Sequence, residues 1–201
     1  MNILFVCTGN TCRSPMAEAL LKEKMPEANV QSAGIFAGRD SRANNNAVEA
    51  MQERGIQLNH QSQPVTDSLL QWSDVVLTMT AKHKQSMIMD FPEYQDKYYT
   101  FKEYVSEADK KVWNELKKAY ADYEEKRMDF IRNNQSNMNH AQLEQQLQDY
   151  LNEDITQIVM LESRLISYDI PDPFGGNLET YQATLDELDE NIDLLIKKIK
   201  K

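Results

Sequence analysis

The sequence is short of cysteine, of basic charge and of long hydrophobic runs. Two cysteines are too few for the disulfide framework that holds many small secreted domains together. The 201 residues carry 22 Lys and Arg against 32 Asp and Glu, a net charge of −10, which argues against the basic surface that nucleic acids and anionic membranes require. No apolar run reaches the ~18 residues that a membrane-spanning helix needs. We therefore expect neither nucleic acid nor membrane among the partners.

The amino-terminal segment predicts a buried strand. Residues 1–7 contain no basic stretch and end on a cysteine, so they do not resemble a secretory signal peptide. A chain without an export signal is expected in the reducing cytoplasm, where cysteine thiols stay free. With 41% hydrophobic residues the chain can build a sizeable core.

Most of the chain alternates short apolar runs with segments of helical periodicity. The predicted strands are residues 3–6, 30–32, 74–79 and 98–101, and the predicted helices are 15–25, 45–54, 66–72, 80–90 and a last helix from 177 onwards. This alternation is typical of an α/β fold with a parallel sheet covered by helices on both faces. Ligands of such sheets bind at the carboxyl ends of the strands.

Residues 106–168 interrupt this alternation. Apolar residues recur at helical spacing over 113–130 and again over 143–165, and a polar stretch rich in Asn and Gln separates the two stripes. We predict an inserted helical hairpin with arms of ~25 residues, whose apolar stripes bury each other. The compact domain is then formed by residues 1–105 and 169–201, and the hairpin is expected to serve self-association or partner binding rather than chemistry.

The loop after the first strand carries the residues suited to binding an anion. It reads Cys7-Thr8-Gly9-Asn10-Thr11-Cys12-Arg13-Ser14 and leads into a helix. A loop that closes onto a helix N-terminus directs several backbone N–H groups into one cavity, and the helix dipole adds to their field. Gly9 and Asn10 tolerate the positive φ that such a curl needs. The planar Arg13 guanidinium matches two oxygens of a phosphate group.

Cys7 lies at the base of this predicted nest, and the same donors favour a thiolate there over a thiol. The Ser14 hydroxyl is close enough in sequence to bond the sulfur. An anion site built around a cysteine predicts phosphoryl transfer through a cysteinyl-phosphate. The alternative is that Cys7 is only a small buried side chain, which leaves the surrounding loop residues unexplained. Cys12, five positions after Cys7, is a further candidate: under oxidation it could form a reversible disulfide with Cys7.

A cysteine nucleophile also needs an acid that protonates the leaving group. Asp172 is the preferred candidate because it lies between two prolines that stiffen its loop. Asp169 is the competing carboxylate, and the residues alone leave the choice open. The three histidines, His60, His83 and His140, have no metal-ligand spacing, so we predict no metal.

Residues 6–18 resemble the opening of the low-molecular-weight protein tyrosine phosphatase family. The matching segment is Val6-Cys7-Thr8-Gly9-Asn10-Thr11-Cys12-Arg13-Ser14-Pro15-Met16-Ala17-Glu18, supported by Ser32-Ala33-Gly34, Thr78-Met79-Thr80 and Asp172-Pro173. The resemblance implies a flavodoxin-like sheet of four parallel strands, phosphorylated proteins as substrates and no cofactor. It also implies Cys7 as nucleophile, Arg13 as phosphate clamp and Asp172 as general acid and then base. Residues 8–14 would hold the phosphate, and among them Asn10 and Ser14 would hold the loop shape and the thiolate.

Two departures from that family resemble the bacterial protein arginine phosphatases. They are Thr11, where Ile or Leu is usual, and Phe174-Gly175-Gly176 after the Asp-Pro pair, where two aromatic residues are usual. A Thr hydroxyl suits the polar guanidinium of phospho-arginine, whereas an Ile methyl suits the ring of phosphotyrosine. We expect Thr11, Phe174 and, as a pocket wall, Phe36 to set substrate selectivity.

Three other functions compete with the phospho-arginine hypothesis. Phosphotyrosine is the main alternative substrate. An arsenate reductase of the same fold would need further cysteines outside the loop, and this chain has none beyond Cys12. A phosphate-binding interaction module without catalysis would not need both a nucleophile and an acid.

Overall fold

The structure, a computed structural model, describes residues 1–106, 109–135, 137–164 and 168–200. The chain divides into two compact units, one formed by Met1–Val105 with Tyr168–Lys201 and the other by Ser106–Ser167. Tyr168, which the sequence analysis assigned to the hairpin, therefore belongs to the first unit. No helix in the described part of the chain is both long and apolar enough to cross a membrane.

The helices and strands follow the predicted order. The strands are β1 (Asn2–Cys7), β2 (Asn29–Gly34), β3 (Val75–Thr78) and β4 (Tyr98–Thr100). The helices are α1 (Arg13–Lys24), α2 (Asn45–Glu53), α3 (Asp67–Trp72), α4 (Ala81–Asp90), α5 (Phe101–Val105), α6 (Asp109–Asn134), α7 (His140–Arg164) and α8 (Leu178–Ile199), with a short 3₁₀ helix at Pro92–Lys97.

The sheet has four strands in the order β2-β1-β3-β4, and all neighbouring strands are parallel. The predicted α/β, flavodoxin-like fold class is thus confirmed. β1 is apolar at successive positions because both of its faces are covered. Ile3 and Phe5 pack into the core cluster that contains residues of α1, α2 and α8, and Leu4 and Val6 pack into the cluster that contains residues of α3 and α4.

The last strand is shorter than predicted. It ends at Thr100, whose hydroxyl accepts a hydrogen bond from the Glu103 backbone N–H and so caps the helix that follows. Phe101 begins that helix and packs edge-on against Phe5, with ring centroids 5.1 Å apart. Its apolar character therefore reflects core packing rather than a strand, which periodicity alone cannot distinguish over so few residues.

The second unit is a pair of antiparallel helices of 26 and 25 residues. The first half of α6 contacts the second half of α7, as in the hydrogen bond from Tyr120 to Glu162. The second half of α6 contacts the first half of α7, as in the stacking of Phe130 on Tyr150. Its own core contains Leu116, Ala119, Ile158 and Leu161. From the predicted stripes, Leu165 and the side chain of Trp113 lie outside the described residues.

Candidate active site

The anion-binding loop connects the buried end of β1 to the first turn of α1 at the carboxyl edge of the sheet. Asn10 adopts a positive φ of 54° in the loop, whereas Gly9 does not, so only one of the two expected residues takes the left-handed conformation. Helix α1 begins after Cys12, which provides no side-chain cap, in contrast to Thr80 at the start of α4. The first N–H groups of α1 are therefore left for an anion to satisfy.

The Cys7 sulfur is buried and surrounded by hydrogen-bond donors. The Asn10 backbone N–H donates to Sγ at 3.2 Å, and the Ser14 Oγ lies 3.0 Å from it. The Ser14 Oγ accepts from the Asn10 side-chain amide, and its one proton has two acceptors in reach, the Cys7 sulfur at 3.0 Å and the Ala33 carbonyl oxygen at 3.5 Å, of which the sulfur is the nearer. The Asn10 N–H and the Ser14 hydroxyl thus lie within hydrogen-bond distance of the sulfur.

Asn10 is itself held by four neighbours. Its side-chain oxygen accepts the Gln63 backbone N–H at 2.9 Å, which fixes the amide orientation and directs the amino group to Ser14 and Ser32. His60 Nε2 lies 2.9 Å from the Asn10 carbonyl oxygen and 3.1 Å from its side-chain oxygen, so this nitrogen must carry the proton. Burial lowers the pKa of His60 and thereby favours the neutral ring. These contacts hold Asn10 in its left-handed conformation.

The end of β2 approaches the loop closely enough to require glycine at position 34. A Cβ atom there would lie 2.7 Å from the Thr8 carbonyl oxygen and 2.8 Å from the Asn10 nitrogen. The following residue, Ile35, donates its N–H to the Cys7 carbonyl oxygen at 3.0 Å. The Phe36 N–H bonds the Thr8 carbonyl oxygen, but the Phe36 ring is exposed and is not among the residues lining the cleft. Phe36 therefore supports the loop through its backbone.

The two candidate carboxylates occupy different places. Asp172 Oδ2 accepts a hydrogen bond from Arg13 Nη2 at 2.8 Å at the cleft, and its side chain is half exposed. Asp169 Oδ1 instead accepts the Ala81 backbone N–H at 2.7 Å, at the N-terminus of α4. Arg13 is almost fully buried and also donates to the Ile170 carbonyl oxygen at 3.2 Å. Only Asp172 is thus placed beside the loop as an acid would be.

The chain after Asp172 turns sharply and presents Phe174 to the cleft. The Phe174 N–H donates to Asp172 Oδ1 at 3.2 Å, and the Gly176 N–H donates to the Pro173 carbonyl oxygen at 2.9 Å. Gly175 has a φ of 82°, the positive value that the third position of such a turn requires. The Gly-Gly pair in the sequence therefore serves this turn.

A cleft of about 240 Å³ opens above the cysteine. It is lined by Cys7, Thr8, Gly9, Thr11, Cys12, Arg13, Asp172 and Phe174. Asn10 and Ser14, which were predicted to bind phosphate, are fully buried, and their side chains bond to other loop and sheet residues. Both cysteines are free, and burial raises the pKa of Cys12, whose sulfur lies 3.4 Å from the Tyr181 hydroxyl.

The sequence analysis missed His83. Its Nε2 lies 2.8 Å from Thr8 Oγ1, although 75 positions separate the two residues along the chain. His83 lies in the first turn of α4, just after the carboxyl end of β3, and parallel-sheet topology brings that edge to the loop. That position, just after the family-like segment Thr78-Met79-Thr80, was the one available signal, because the segment itself does not include His83.

This fold and loop define a class of α/β protein in which the first strand ends on a buried cysteine and a short loop leads from it into a helix. The matching family model is described as low molecular weight phosphotyrosine protein phosphatase and covers residues 2–149. The chain belongs to this family, which confirms the predicted family and the predicted phosphatase class.

Relatives with two kinds of specificity are similar to this chain. A protein-arginine-phosphatase from Bacillus subtilis is 36% identical over 205 residues, covering 100% of this chain and 98% of that protein. The solved arginine phosphatase YwlE from Geobacillus stearothermophilus superimposes with a TM-score of 0.68 at 34% identity, covering 99% of this chain and 92% of that one. The Staphylococcus aureus low molecular weight protein-tyrosine-phosphatase PtpB is 42% identical over 108 residues, 54% of this chain and 76% of that protein.

Proposed function

We propose that this protein hydrolyses phospho-arginine in phosphorylated proteins through a cysteinyl-phosphate on Cys7. The observation that carries the proposal is the placement of a donor-surrounded thiol, a buried guanidinium and a half-exposed carboxylate on one cleft. A nucleophile, a phosphate clamp and a proton donor are what phosphoryl transfer to sulfur needs.

In the first step the Cys7 thiolate attacks phosphorus from the base of the cleft. The S–P bond forms while the bond from phosphorus to the guanidino nitrogen breaks, and that nitrogen takes a proton from Asp172. Arg13 and the loop N–H groups hold the equatorial phosphoryl oxygens, whose charge they stabilise in the transition state. Ser14 and the Asn10 N–H stabilise the sulfur as a leaving group for the next step.

In the second step a water molecule attacks the cysteinyl-phosphate. Asp172, now ionised, accepts a proton from this water, the S–P bond breaks and inorganic phosphate leaves the loop. The half-exposed side chain of Asp172 suits this role, because water can reach the carboxylate from solvent. Each turnover returns Cys7 to the thiolate and Asp172 to the acid.

Two features of the cleft favour phospho-arginine over phosphotyrosine. Thr11, which carries a hydroxyl, and Phe174 both line the cleft. Asp172 already pairs with a guanidinium, that of Arg13, and a substrate guanidinium presents the same planar donors. Two curated relatives that match almost the whole chain carry arginine-phosphatase names, which supports this preference, although solved relatives of similar coverage carry tyrosine-phosphatase titles. PtpB, over half of the chain, supports phosphotyrosine as the second candidate.

Replacing Thr11 by Ile is expected to lower kcat/KM on a phospho-arginine peptide by roughly tenfold, about 1.4 kcal/mol, and to raise it on the matched phosphotyrosine peptide. The change exchanges a polar contact for an apolar one. Thr11→Val removes the hydroxyl with little change in side-chain size, and Thr11→Ser keeps the hydroxyl but removes the methyl group. The measurement is kcat/KM on both peptides for wild type and the three variants.

We expect Thr11→Ser to keep the arginine preference and Thr11→Val to lose much of it. Wild-type protein that favours phosphotyrosine would refute the arginine proposal while leaving the phosphatase mechanism intact. If the wild-type protein hydrolysed none of the three substrates, the two peptides and a small aryl phosphate, the proposed function would be refuted.

Removing the helical hairpin is expected to leave a working enzyme. The second unit has its own apolar core, and every residue placed at the cleft belongs to the first unit. We expect replacement of residues 106–167 by a short Gly-Ser linker to keep turnover of a small aryl phosphate within roughly tenfold, or ~1.4 kcal/mol in barrier. Thermal unfolding and ester turnover test this. A deletion variant that does not fold, or that folds but no longer hydrolyses the small ester, would show that the hairpin supports the first unit.

A further inference from the structure

We infer that His83 is a positioning residue that directs the Thr8 hydroxyl proton into the cleft, where it donates to a bound phosphoryl oxygen. The inference rests on the proposed function, and it assigns the polar pair formed by Thr8 and His83 a part in binding the phosphoryl group. The loop motif already places Thr8 at the phosphate, but it does not point to His83, because their contact depends on a helix turn remote in sequence.

The contact joins Thr8 Oγ1 and His83 Nε2 at 2.8 Å. Thr8 follows the proposed nucleophile directly and lines the cleft. Thr8 is exposed at the cleft, so its hydroxyl can meet a ligand there while it bonds His83. A hydroxyl carries one proton. If His83 donates to the Thr8 oxygen, the Thr8 proton is not used in that bond and can be donated to a ligand.

The tautomer of His83 decides which group donates. Its Nδ1 is buried and has no hydrogen-bond partner among the described residues. A buried N–H without an acceptor is rarer and costlier than a buried lone pair without a donor, so Nδ1 is the unprotonated nitrogen. Nε2 then carries the proton of the neutral ring and donates to Thr8 Oγ1. The hydroxyl proton of Thr8 cannot also lie on that line, and it points to the cleft.

The electrostatics around His83 keep the ring neutral. Burial, and next to it the positive charge of Arg13, lower the pKa of His83 to about 4, against smaller opposing effects of Asp172 and Asp169. The ring also lies at the N-terminus of α4, whose dipole disfavours added positive charge. At neutral pH the imidazole thus acts as a fixed hydrogen-bond donor rather than as a titrating group.

The test compares phosphate affinity in four proteins: wild type, Thr8→Val, His83→Leu and the double variant. The probe is inorganic phosphate, measured as a Ki against hydrolysis of a small aryl phosphate. We expect Thr8→Val to raise the Ki about tenfold, a loss of about 1.4 kcal/mol, and His83→Leu to raise it severalfold. Because His83 acts through Thr8, the double variant should bind phosphate no more weakly than Thr8→Val alone.

Two controls separate positioning from structural support. His83→Gln keeps a side-chain N–H that can reach Thr8 and should restore much of the affinity lost in His83→Leu. Lys82→Gln alters the exposed neighbour on the same helix turn and should leave the Ki unchanged. A lost phosphate contact raises KM more than it lowers kcat, whereas damage to the acid Asp172 lowers kcat. A fall in kcat with unchanged KM in His83→Leu would overturn the inference.

NMR spectroscopy of the wild-type protein tests the tautomer of His83 independently, even if His83→Leu fails to fold. Long-range proton–nitrogen correlation spectra identify which ring nitrogen of His83 carries the proton. We expect the Nε2–H tautomer, and the Nδ1–H tautomer would overturn the inference. The inference would also be overturned if the losses of phosphate affinity in Thr8→Val and His83→Leu simply added in the double variant. If wild type hydrolyses no phosphate ester, the proposed function fails, while the tautomer still reports on this contact by itself.

Discussion

Replacing Cys7 by serine is expected to abolish turnover while leaving inorganic phosphate bound. The loop N–H groups and Arg13 that hold the anion are unchanged, but a serine hydroxyl at this site is a far weaker nucleophile and leaving group than the thiolate. We expect a loss of at least about a thousandfold in kcat, on the scale seen when other enzymes lose their nucleophile. Steady-state turnover of a phospho-arginine peptide and phosphate binding by NMR titration measure the two properties.

The matched control for this change is Cys12→Ser. Cys12 lies in the same loop, but its buried sulfur contacts Tyr181, and burial raises the pKa of its thiol. We expect Cys12→Ser to keep most of the activity. A solved relative is described as a YwlE C7S mutant with a phosphorylated active-site serine, so mass spectrometry of Cys7→Ser after exposure to substrate is an added readout. Full activity of Cys7→Ser would exclude the covalent mechanism.

Replacing Asp172 by asparagine is the second change with a large expected effect. Asparagine has nearly the same size as aspartate and keeps one acceptor oxygen, so it can accept from Arg13 Nη2 or from the Phe174 N–H, which bond different oxygens of Asp172, but not from both. The side chain can no longer supply the proton that the guanidino nitrogen needs. We expect kcat on phospho-arginine to fall by about 10²- to 10⁴-fold, the usual contribution of general acid–base catalysis. Loss on an activated aryl phosphate should be smaller in the first step, because its leaving group needs little protonation.

Asp169→Asn is the matched control, since Asp169 is the nearby carboxylate of the same loop. Its oxygen accepts the Ala81 N–H at the start of α4, and an asparagine oxygen can accept it as well. We therefore expect only a small change in kcat. The burst of leaving group from an aryl ester shows which step each variant slows. If Asp169→Asn lost more activity than Asp172→Asn, the assignment of the acid would be reversed.

The loop could be predicted from the sequence because its parts are contiguous. Strand, cysteine, loop, arginine and helix follow one another between Asn2 and Lys24, and the order by itself is typical of an anion-binding loop at a helix N-terminus. The fold class followed from the same kind of signal, because the alternation of strand and helix patterns restricts the sheet to parallel topologies. The apolar stripes of α6 and α7 likewise predict two helices that bury one another.

The residues alone left the choice of acid open, and tertiary structure is what distinguishes the surroundings of the two candidates. Asp172 and Asp169 are three positions apart on one loop, so composition and local stiffness distinguish them weakly. Asp172 meets Arg13 across 159 positions of sequence, and Asp169 meets Ala81 across 88. Such partners depend on how the loop docks on the sheet edge, which no local pattern records.

The supporting histidines and the required glycine were decided in the same way. His60 and His83 reach the loop from chain segments 50 and 75 positions away, and isolated histidines in a sequence carry no directional signal. Gly34 is needed because the end of β2 passes against the loop backbone, a distance set by strand register. The sequence by itself determined the fold class and the chemistry of the loop, because both arise from neighbours along the chain. Tertiary packing determined which distant groups hold that loop and face its cleft, because their placement depends on the assembled sheet.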